Sequence, residues 1–440
     1  MSPLTRPYRQ ALATLSLALF TVVPTIYVGI VAYRIHRPGH LRDVEIEMGR
    51  SLGLQVTLEG VRYPKPGEVV YEGIVLRQEE PRKGGLTEIA RAGSVRLRKT
   101  GRTLTLETQG LKLRGEGPKN AMAQLGGLIG RSADSGFDRV SLAAPACSIA
   151  LGDLGLEVRE LAATFQNDRN APSLRGSYRV VDDGGSTRCE LELTRDRGRN
   201  PVATTLAFKT MEGVPLPARM LDVFFDSAEW LGRESRVQGA LTLHQAGHED
   251  WKADFTGELI GVDLGTLFTQ RFPRHRLTGL ARVSVKSARW EDRPGQGFGW
   301  AEAEGEVVTG PGSAGMDLLK ALVQEMKFQV ARRIDGSKSD IPFRSLGFKF
   351  KLDRDGQIQF GGALPSEFAP DDVLVVNDRA AIKAPQGMAS VRGLIKTLFP
   401  STADAMVPAT AESQMLSRFL PLPKAGTPKD DSTIKTIHAN

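Results

Sequence analysis

Four groups of residues in this sequence carry side chains that could do chemistry. The first group, His244, His248, Glu249 and Asp250, contains residue types that ligate zinc, and histidines four residues apart share one face of a helix. The surrounding segment, LTLHQAG, instead alternates apolar and polar residues and ends at a glycine, which is typical of a strand entering a turn. Side chains diverge at such a turn, so the sequence predicts no metal site.

Paired carboxylates form the second group, at Glu291-Asp292 and at Asp353 and Asp355. Glycoside hydrolysis needs two carboxylates that face each other across a cleft. Acid pairs are also common at the ends of β-hairpins, and the sequence contains no Gly-x-Ser-x-Gly motif. A non-enzymatic protein is therefore predicted, with an envelope hydrolase of unrecognised type as the weaker hypothesis.

The third group is the glycine-rich segment GPGSAG, residues 310–315, which precedes a predicted helix. A helix N-terminus can bind phosphate, including that of a lipid headgroup, but the GK[ST] and GxGxxG patterns are absent. We expect a plain loop with Ser313 near the helix N-cap. The fourth group is four dispersed tryptophans, which are expected in the core or at an interface: Trp230, Trp251, Trp290 and Trp300.

Cys147 and Cys189 both lie in alternating, strand-like segments, and no CxxC motif is present. A disulfide is one interpretation if the bulk of the chain lies outside the cytoplasm. Two buried free thiols are favoured, because cysteine packs as a small hydrophobic residue.

The composition excludes a disordered chain and gives little support to nucleic-acid binding. Of the 440 residues 40% are hydrophobic, which is enough to bury a core, and the net charge is +7. The segment richest in arginine, RDRGR at 195–199, contains an acid and a glycine and is typical of a solvated turn. A positive chain without a dense basic block suits an anionic membrane surface.

A single apolar stretch at the N-terminus predicts a membrane anchor. Residues 11–33 contain no acid or base except two tyrosines, and a helix of that length spans about 34 Å, against a hydrocarbon core of about 30 Å. Pro24 is tolerated in membrane helices. We predict an anchor helix over 11–34, after a short basic tail at 1–10, with these lipid-facing side chains: Leu15, Leu19, Val23, Ile26 and Ile30.

A cleaved secretory signal is the alternative, because Arg6 and Arg9 form a basic leader. The apolar region of a signal peptide is about 7–15 residues long, shorter than this stretch. Arginines on both sides of the stretch leave the orientation undecided by charge.

The rest of the chain predicts a mainly β fold with a few amphipathic helices. Leu41, Val44, Met48 and Leu52 recur at helical spacing before Gly53, which predicts an amphipathic linker helix over 41–53. Residues 55–400 then alternate with a period of two between Gly/Pro turns, which predicts a long, curved antiparallel β-sheet. Inserted helices are predicted over 217–231, 316–332 and 388–399, and a mobile Pro/Lys-rich tail over 401–440.

A recognisable pattern follows the predicted anchor: LRDVEIEMGRSLGLQVTLEGVRYPKPGEVVYEGIVLRQ and then IARAGSVRLR. Its defining residues are Leu52, Gly53, Val56, Leu58, Val61, Tyr63, Gly67, Gly73, Leu76, Ala90, Val95 and Leu97. This pattern resembles the opening of the AsmA-like proteins of the bacterial envelope, and the C-terminal hairpin and helix are similar to the last repeats of that family.

This resemblance, which extends to TamB-like and chorein-type bridge-like lipid-transfer proteins, implies several properties. They are an inner-membrane single-pass anchor, a periplasmic β-groove, phospholipid as the partner, and a role in outer-membrane lipid homeostasis without a cofactor.

The balance of strands and helices leads to the same hypothesis by a physical route. A long sheet must bury its apolar face, and the predicted helices are too few to cover it. Acyl chains could fill that face, each buried CH₂ contributing about 0.8 kcal/mol. An assembly factor that pairs with client envelope proteins through a sheet edge is the alternative. The side chains expected to face the groove are Val56, Leu58, Val95, Leu97, Leu104, Leu106, Phe348, Phe350, Ile358 and Phe360.

Overall fold

The computed structural model of the chain describes residues 14–79, 85–114, 136–151, 154–182, 184–223, 227–246, 250–269, 272, 275–293, 297–332 and 337–398.

The N-terminal helical segment changes its geometry next to Pro24. A π-helical turn, Ala18–Val22, precedes helix α1, Val23–His36. Pro24 lies in the first turn of α1, directly after the π-helical turn, and has no N–H to donate to a carbonyl of that turn. The single helix predicted over 11–34 is thus interrupted, and residues 11–13 lie outside the described part.

Among the described residues, no helix has both the length and the apolar character required to cross a membrane.

Helix α2, His40–Leu52, is the linker helix predicted over 41–53. It ends where Gly53 adopts a left-handed conformation, φ 67°, and donates its N–H to the Gly49 carbonyl at 2.9 Å. The apolar side of α2 packs on Val56 and Leu58 at the start of the sheet.

The described residues beyond α2 form 24 strands. The first twelve are β1 Gln55–Thr57, β2 Gly60–Lys65, β3 Glu68–Glu79, β4 Leu86–Thr100, β5 Thr103–Gln109, β6 Leu111–Arg114, β7 Arg139–Leu151, β8 Leu154–Gln166, β9 Ser173–Asp182, β10 Gly185–Asp196, β11 Ala203–Gly213 and β12 Leu216–Pro217. The other twelve are β13 Arg236–Ala246, β14 Asp250–Asp263, β15 Leu280–Arg293, β16 Gly297–Thr309, β17 Gly312–Gly315, β18 Gln329–Val330, β19 Asp340–Phe343, β20 Ser345–Leu352, β21 Gln357–Gly362, β22 Asp372–Val376, β23 Arg379–Lys383 and β24 Ala389–Ser390.

Twenty-two of these strands form one sheet, and β17 and β19 form a separate pair. The order largely follows the chain. Strand β3 pairs with β4, and β4 is joined to β7 through β5 and β6. From there β7 to β11, β13 to β16 and then β20 follow, each strand paired with the next. Short strands complete the two ends, with β1 and β2 on β3, and β18 on β23.

The prediction of an antiparallel sheet is wrong at β7. Strands β5 and β6 both run parallel to β7, so the sheet is mixed. A parallel pair needs a crossover connection of about a dozen residues or more, and the chain between Arg114 and Arg139 is long enough to supply one. Residues 115–135 of that connection lie outside the described part.

The inserted helices are shorter than predicted. The segment 217–231 contains a 3₁₀ turn, Ala218–Val223, and helix α3, Ser227–Leu231, with residues 224–226 outside the described part. Helix α4, Met316–Glu325, replaces the helix predicted over 316–332.

Helix α4 ends because Lys327 takes a positive φ of 60° and Phe328 donates its N–H back to Leu322 at 3.2 Å, after which the chain enters β18. Helix α5, Val391–Leu398, follows strand β24, so it begins later than the helix predicted over 388–399. A π-helical turn, Gly265–Thr269, follows β14. The terminal segments 1–10 and 401–440 lie outside the described residues.

A bulge keeps apolar side chains on one face of the sheet. In β9, Gly176 and Val180 are four residues apart and share a face, but their partners in β8, Ala163 and Val158, are five apart. The extra residue lies around Glu160, which takes a positive φ of 54°. The alternation in β8 therefore shifts by one residue, and both halves of the strand turn their apolar side chains the same way.

Candidate functional site

A continuous row of apolar residues crosses the sheet from β4 to β21. Residues directly opposite each other on neighbouring strands have side chains on the same face. The register therefore places one row on one face: Leu97, Leu106, Leu142, Ala163, Gly176, Leu191, Phe208, Leu241, Phe255, Ala288, Ala303, Leu352 and Ile358.

A second row lies two residues further along each strand, on the same face. Its members are Leu104, Val140, Phe165, Leu174, Leu193, Leu206, Leu243, Ala253 and Trp290. We call the two rows together the apolar stripe.

The opposite face of the sheet is charged. Arg289 donates to Asp254 on one neighbouring strand and to Glu302 on the other, both at 2.8 Å. Lys286 and Glu304 form a further cross-strand pair at 3.0 Å. Exposed ion pairs contribute little stability each, so their main effect is to keep this face in water. The sheet thus separates a wet face from an apolar one.

In the middle of the sheet the first row of the apolar stripe is only half-buried, whereas Phe165, Leu174 and Leu193 of the second row are buried. Leu191, Phe208 and Leu241 all keep part of their surface accessible. Within the described residues, the main contacts of the helices and helical turns with the sheet are to strands β1, β7, β13, β14 and β24. Strands β9 to β11 are not among these strands, although Met220 of the 3₁₀ turn packs against the cluster that contains Val180 and Cys189.

At its C-terminal end the stripe continues into a cavity of 520 Å³. Helices α4 and α5 cover this cavity, with Leu318, Leu322 and Leu394 among the residues that line it. Its floor includes the last four members of the first row, Ala288, Ala303, Leu352 and Ile358. The volume lies within the range of about 300–1,000 Å³ that is typical of small-molecule sites.

The cavity has an almost wholly apolar lining. Among the described residues that line it, the one polar residue is Thr397, which donates its hydroxyl hydrogen to the Gly393 carbonyl at 2.9 Å. A polar ligand group would lose its hydrogen bonds with water here and gain none in return. The cavity therefore suits hydrocarbon.

The predicted groove residues divide into three places. Phe348, Phe350, Ile358 and Phe360 line the cavity, where the ring centroids of Phe348 and Phe360 are 6.0 Å apart. The next residues belong to the apolar stripe at its N-terminal end: Leu97, Leu104 and Leu106. The remaining ones pack in the cluster beneath α2: Val56, Leu58 and Val95.

Sequence reasoning missed the part of the site that α4 and α5 supply. Leu318, Leu322 and Met326 recur at helical spacing, which predicts an amphipathic helix but does not show what the helix covers. The sequence signal that could have indicated this part of the site is the pair of amphipathic helices on either side of the phenylalanine-rich hairpin.

The candidate metal ligands do not form a site within the described residues, where no group of three or more ligands is close together. His244 instead pairs with the Thr205 hydroxyl at 3.0 Å through Nδ1. His248 and Glu249 lie outside the described part of the chain.

The candidate acids serve turns and ion pairs. Asp353 accepts the N–H groups of Asp355 and Gln357, both at 2.9 Å, in the β20–β21 hairpin. Glu291 lies 3.8 Å from Lys252, and the side chain of its neighbour Asp292 is not described.

The glycine-rich segment 310–315 is not the plain loop that the sequence predicts, because residues 312–315 form strand β17. Ser313 lies in strand β17 because that segment pairs with β19, and its hydroxyl is 2.9 Å from that of Thr278. The residue at the N-cap of α4 is Gly315, which has no side chain to cap the helix.

Of the four tryptophans, Trp230 and Trp290 are half-buried, and Trp290 packs against the cluster that surrounds the cavity. The side chains of Trp251 and Trp300 are not described.

Both cysteines are buried and unpaired, as favoured by the sequence. They belong to one hydrophobic cluster with Val158 and Val180. Burial raises the pKa of the Cys147 thiol to about 11 and that of Cys189 to about 12. Thiols that remain protonated at neutral pH are poor nucleophiles, so these two have a packing role.

Comparison of the chain with known protein families, with curated proteins and with solved structures finds no match. The likeness to AsmA-like proteins therefore stays a prediction from the sequence pattern. The apolar stripe and the cavity are the features of the structure that bear on its function.

Proposed function

We propose that this chain is a membrane-anchored, non-enzymatic lipid-binding protein. In this proposal the apolar stripe shelters the acyl chains of phospholipids, and the protein contributes to the lipid homeostasis of a bacterial outer membrane. It is held in the inner membrane by its N-terminal helical segment, with the bulk of the chain in the periplasm.

One observation carries the proposal: an apolar stripe whose first row is half-buried at Leu191, Phe208 and Leu241 leads into a cavity lined by hydrocarbon. Apolar side chains that face water cost free energy, and each CH₂ of a ligand buried against them contributes about 0.8 kcal/mol. Neighbouring strands lie about 4.8 Å apart, so one acyl chain covers only a few strands and several acyl chains would share the stripe. A small polar ligand would find no hydrogen-bond partners in the cavity.

The N-terminal segment supports the anchor by its exposed apolar surface. Leu15 and Ile30 are 68% and 51% exposed, and the three predicted lipid-facing residues between them fall within that range: Leu19, Val23 and Ile26. An exposed patch of this kind marks a membrane or protein interface.

Pairing of a sheet edge with a client polypeptide receives less support. Strand β2, at one end of the sheet, contains Pro64, which has no N–H to donate to an added strand. Strand β18, at the other end, is only two residues long. Such edges are typical of proteins that avoid edge-to-edge pairing.

The test compares Leu241→Arg with Thr242→Arg in the full chain. Leu241 lies in the first row of the stripe, whereas its neighbour Thr242 lies on the charged face opposite Asp254. After incubation with phospholipid vesicles and repurification in detergent, phospholipid bound per protein is measured by mass spectrometry. We expect Leu241→Arg to lower it several-fold and Thr242→Arg to leave it at the wild-type level.

Both variants add the same charge to the same strand, so a general effect of arginine would appear in both. Wild-type protein that retains no more phospholipid than an unrelated membrane protein would refute the proposal.

A further inference from the structure

A second cavity, of 890 Å³, lies at the strand ends along one rim of the sheet. The ends of β6, β7 and β9 and the start of β8 meet the segment that leads from α3 into β13 at this rim. One wall is apolar and consists of Leu113, Ile149 and Leu156, which are directly opposite one another in register, together with Leu154. These four side chains pack against the cluster that contains both cysteines.

The rest of this cavity has an excess of cationic side chains. Of the residues that the structure describes, three acids line it, Glu157, Asp182 and Glu234, against five bases: Lys112, Arg114, Arg219, Arg233 and Arg236.

Two of the three acids are already paired. Glu157 accepts from Arg159, which does not line the cavity, at 2.8 Å, and this bond lowers the pKa of the carboxyl group. Asp182 is 2.8 Å from Arg236, so that pair is neutral. Lys112 and Arg233 are exposed and form no ion pair with any residue that the structure describes. The cavity therefore keeps a net positive charge.

We propose that this cavity binds an anionic phosphoryl group, which in a lipid is the headgroup of a molecule whose acyl chains lie on the adjoining apolar wall. Arginine and lysine suit this role, since they form charge-assisted hydrogen bonds with phosphate oxygens. The apolar wall beside the charges suits an amphipathic ligand better than a free ion. The inference rests on the proposed lipid-binding function and adds a preference for anionic phospholipids to it.

The test is a competition experiment with the full chain in detergent. The protein is incubated with equimolar phosphatidylglycerol and phosphatidylcholine in mixed micelles, and the ratio of the two bound lipids is measured by mass spectrometry. The variant Lys112→Gln/Arg233→Gln removes the two unpaired cations. The control, Arg282→Gln/Lys349→Gln, removes one exposed arginine and one exposed lysine from β15 and β20, away from this cavity.

We expect wild type and the control variant to bind phosphatidylglycerol in preference to phosphatidylcholine. In the cavity variant the ratio of the two bound lipids should fall about tenfold, which is the size of effect expected when charge-assisted hydrogen bonds are lost. Total phospholipid bound should not change, because the apolar surfaces are intact. An unchanged lipid ratio in the cavity variant, or an equal loss in the control, would overturn the inference alone. Absence of both lipids from wild type would instead refute the proposed function.

Inorganic phosphate, added at constant ionic strength, distinguishes the two sources of the phosphoryl group. Loss of the lipid preference in phosphate but not in chloride would show that the cavity binds the phosphoryl group by itself. A preference that survives phosphate but not the Lys112→Gln/Arg233→Gln substitution would show that the lipid's apolar part is required as well.

Discussion

Cys147 and Cys189 illustrate what single residues contribute to this molecule. Each faces the apolar side of the sheet, and Cys189 has no exposed surface. Tyr178 lies opposite Cys189 in the neighbouring strand, and burial raises the pKa of its phenol as well. Three titratable groups are therefore held in their neutral forms by the surrounding hydrocarbon.

This environment predicts a fall in stability at alkaline pH. The thiol pKa values are about 11 and 12 in the folded chain, against 9.0 without burial, so above pH 9 the unfolded chain loses protons that the folded chain keeps. The contribution of these thiols to the free energy of unfolding should be constant below pH 9 and fall between pH 9 and about 12. Denaturant titrations monitored by fluorescence over this range measure the effect.

Alkylation provides the control for the same groups. Native protein at pH 8 should react very slowly with iodoacetamide, and protein in guanidinium should be modified at both positions. Rapid labelling of the native chain would contradict the assigned burial.

At the scale of elements, the packing of α5 against α4 closes the cavity. A Cβ atom added at Gly393 would lie 2.8 Å from the Glu325 carbonyl oxygen and 3.3 Å from the Met326 sulfur. The two helices can approach this closely because α5 has a glycine at the contact. The cavity is therefore covered by an element that a single side chain could displace.

The substitution Gly393→Val should separate α4 from α5. We expect faster uptake of a fluorescent fatty acid that reports an apolar environment, together with a loss of about 1–3 kcal/mol of stability from overpacking. Gly387→Val is the matched control, because a Cβ at Gly387 has no atom within 4 Å. Stopped-flow fluorescence and thermal melts measure the two effects. Uptake as slow as in wild type would show that the ligand does not pass between these helices.

At the scale of the whole molecule, the chain is a sheet with different surroundings at its two ends. One end begins beneath α2, which directly follows the exposed apolar α1, and the other ends under α4 and α5. The apolar stripe lies between them. In the proposed function this arrangement lets acyl chains leave a bilayer near α1 and move along the sheet.

Deletion of residues 1–36 should therefore separate anchoring from lipid binding. We expect the truncated chain to leave the membrane pellet on ultracentrifugation but to keep its affinity for a fluorescent fatty acid, because the cavity lies far along the chain. The full-length variant Leu19→Arg/Ile26→Arg should also leave the pellet, since charges in a bilayer core are costly. Full retention of both variants in the pellet would mean that another surface holds the chain to membranes.

The sequence by itself determined the elements of this protein. Alternation with a period of two fixes a mainly β chain, because a strand directs successive side chains to opposite faces. Gly53 fixes the end of α2, since glycine adopts the left-handed conformation without a steric penalty. The same alternation placed Phe348 and Phe360 on one face of a hairpin, and both line the cavity.

Only the tertiary structure decided how these elements combine. Strand order and direction depend on contacts between distant residues, so the parallel pairing of β7 could not be read from local alternation. The bulge around Glu160 could not be read from the alternation either, because a bulge changes which residues face the core without changing their apolar character. The cavity exists because α4 and α5, far apart in sequence, pack against each other over the sheet.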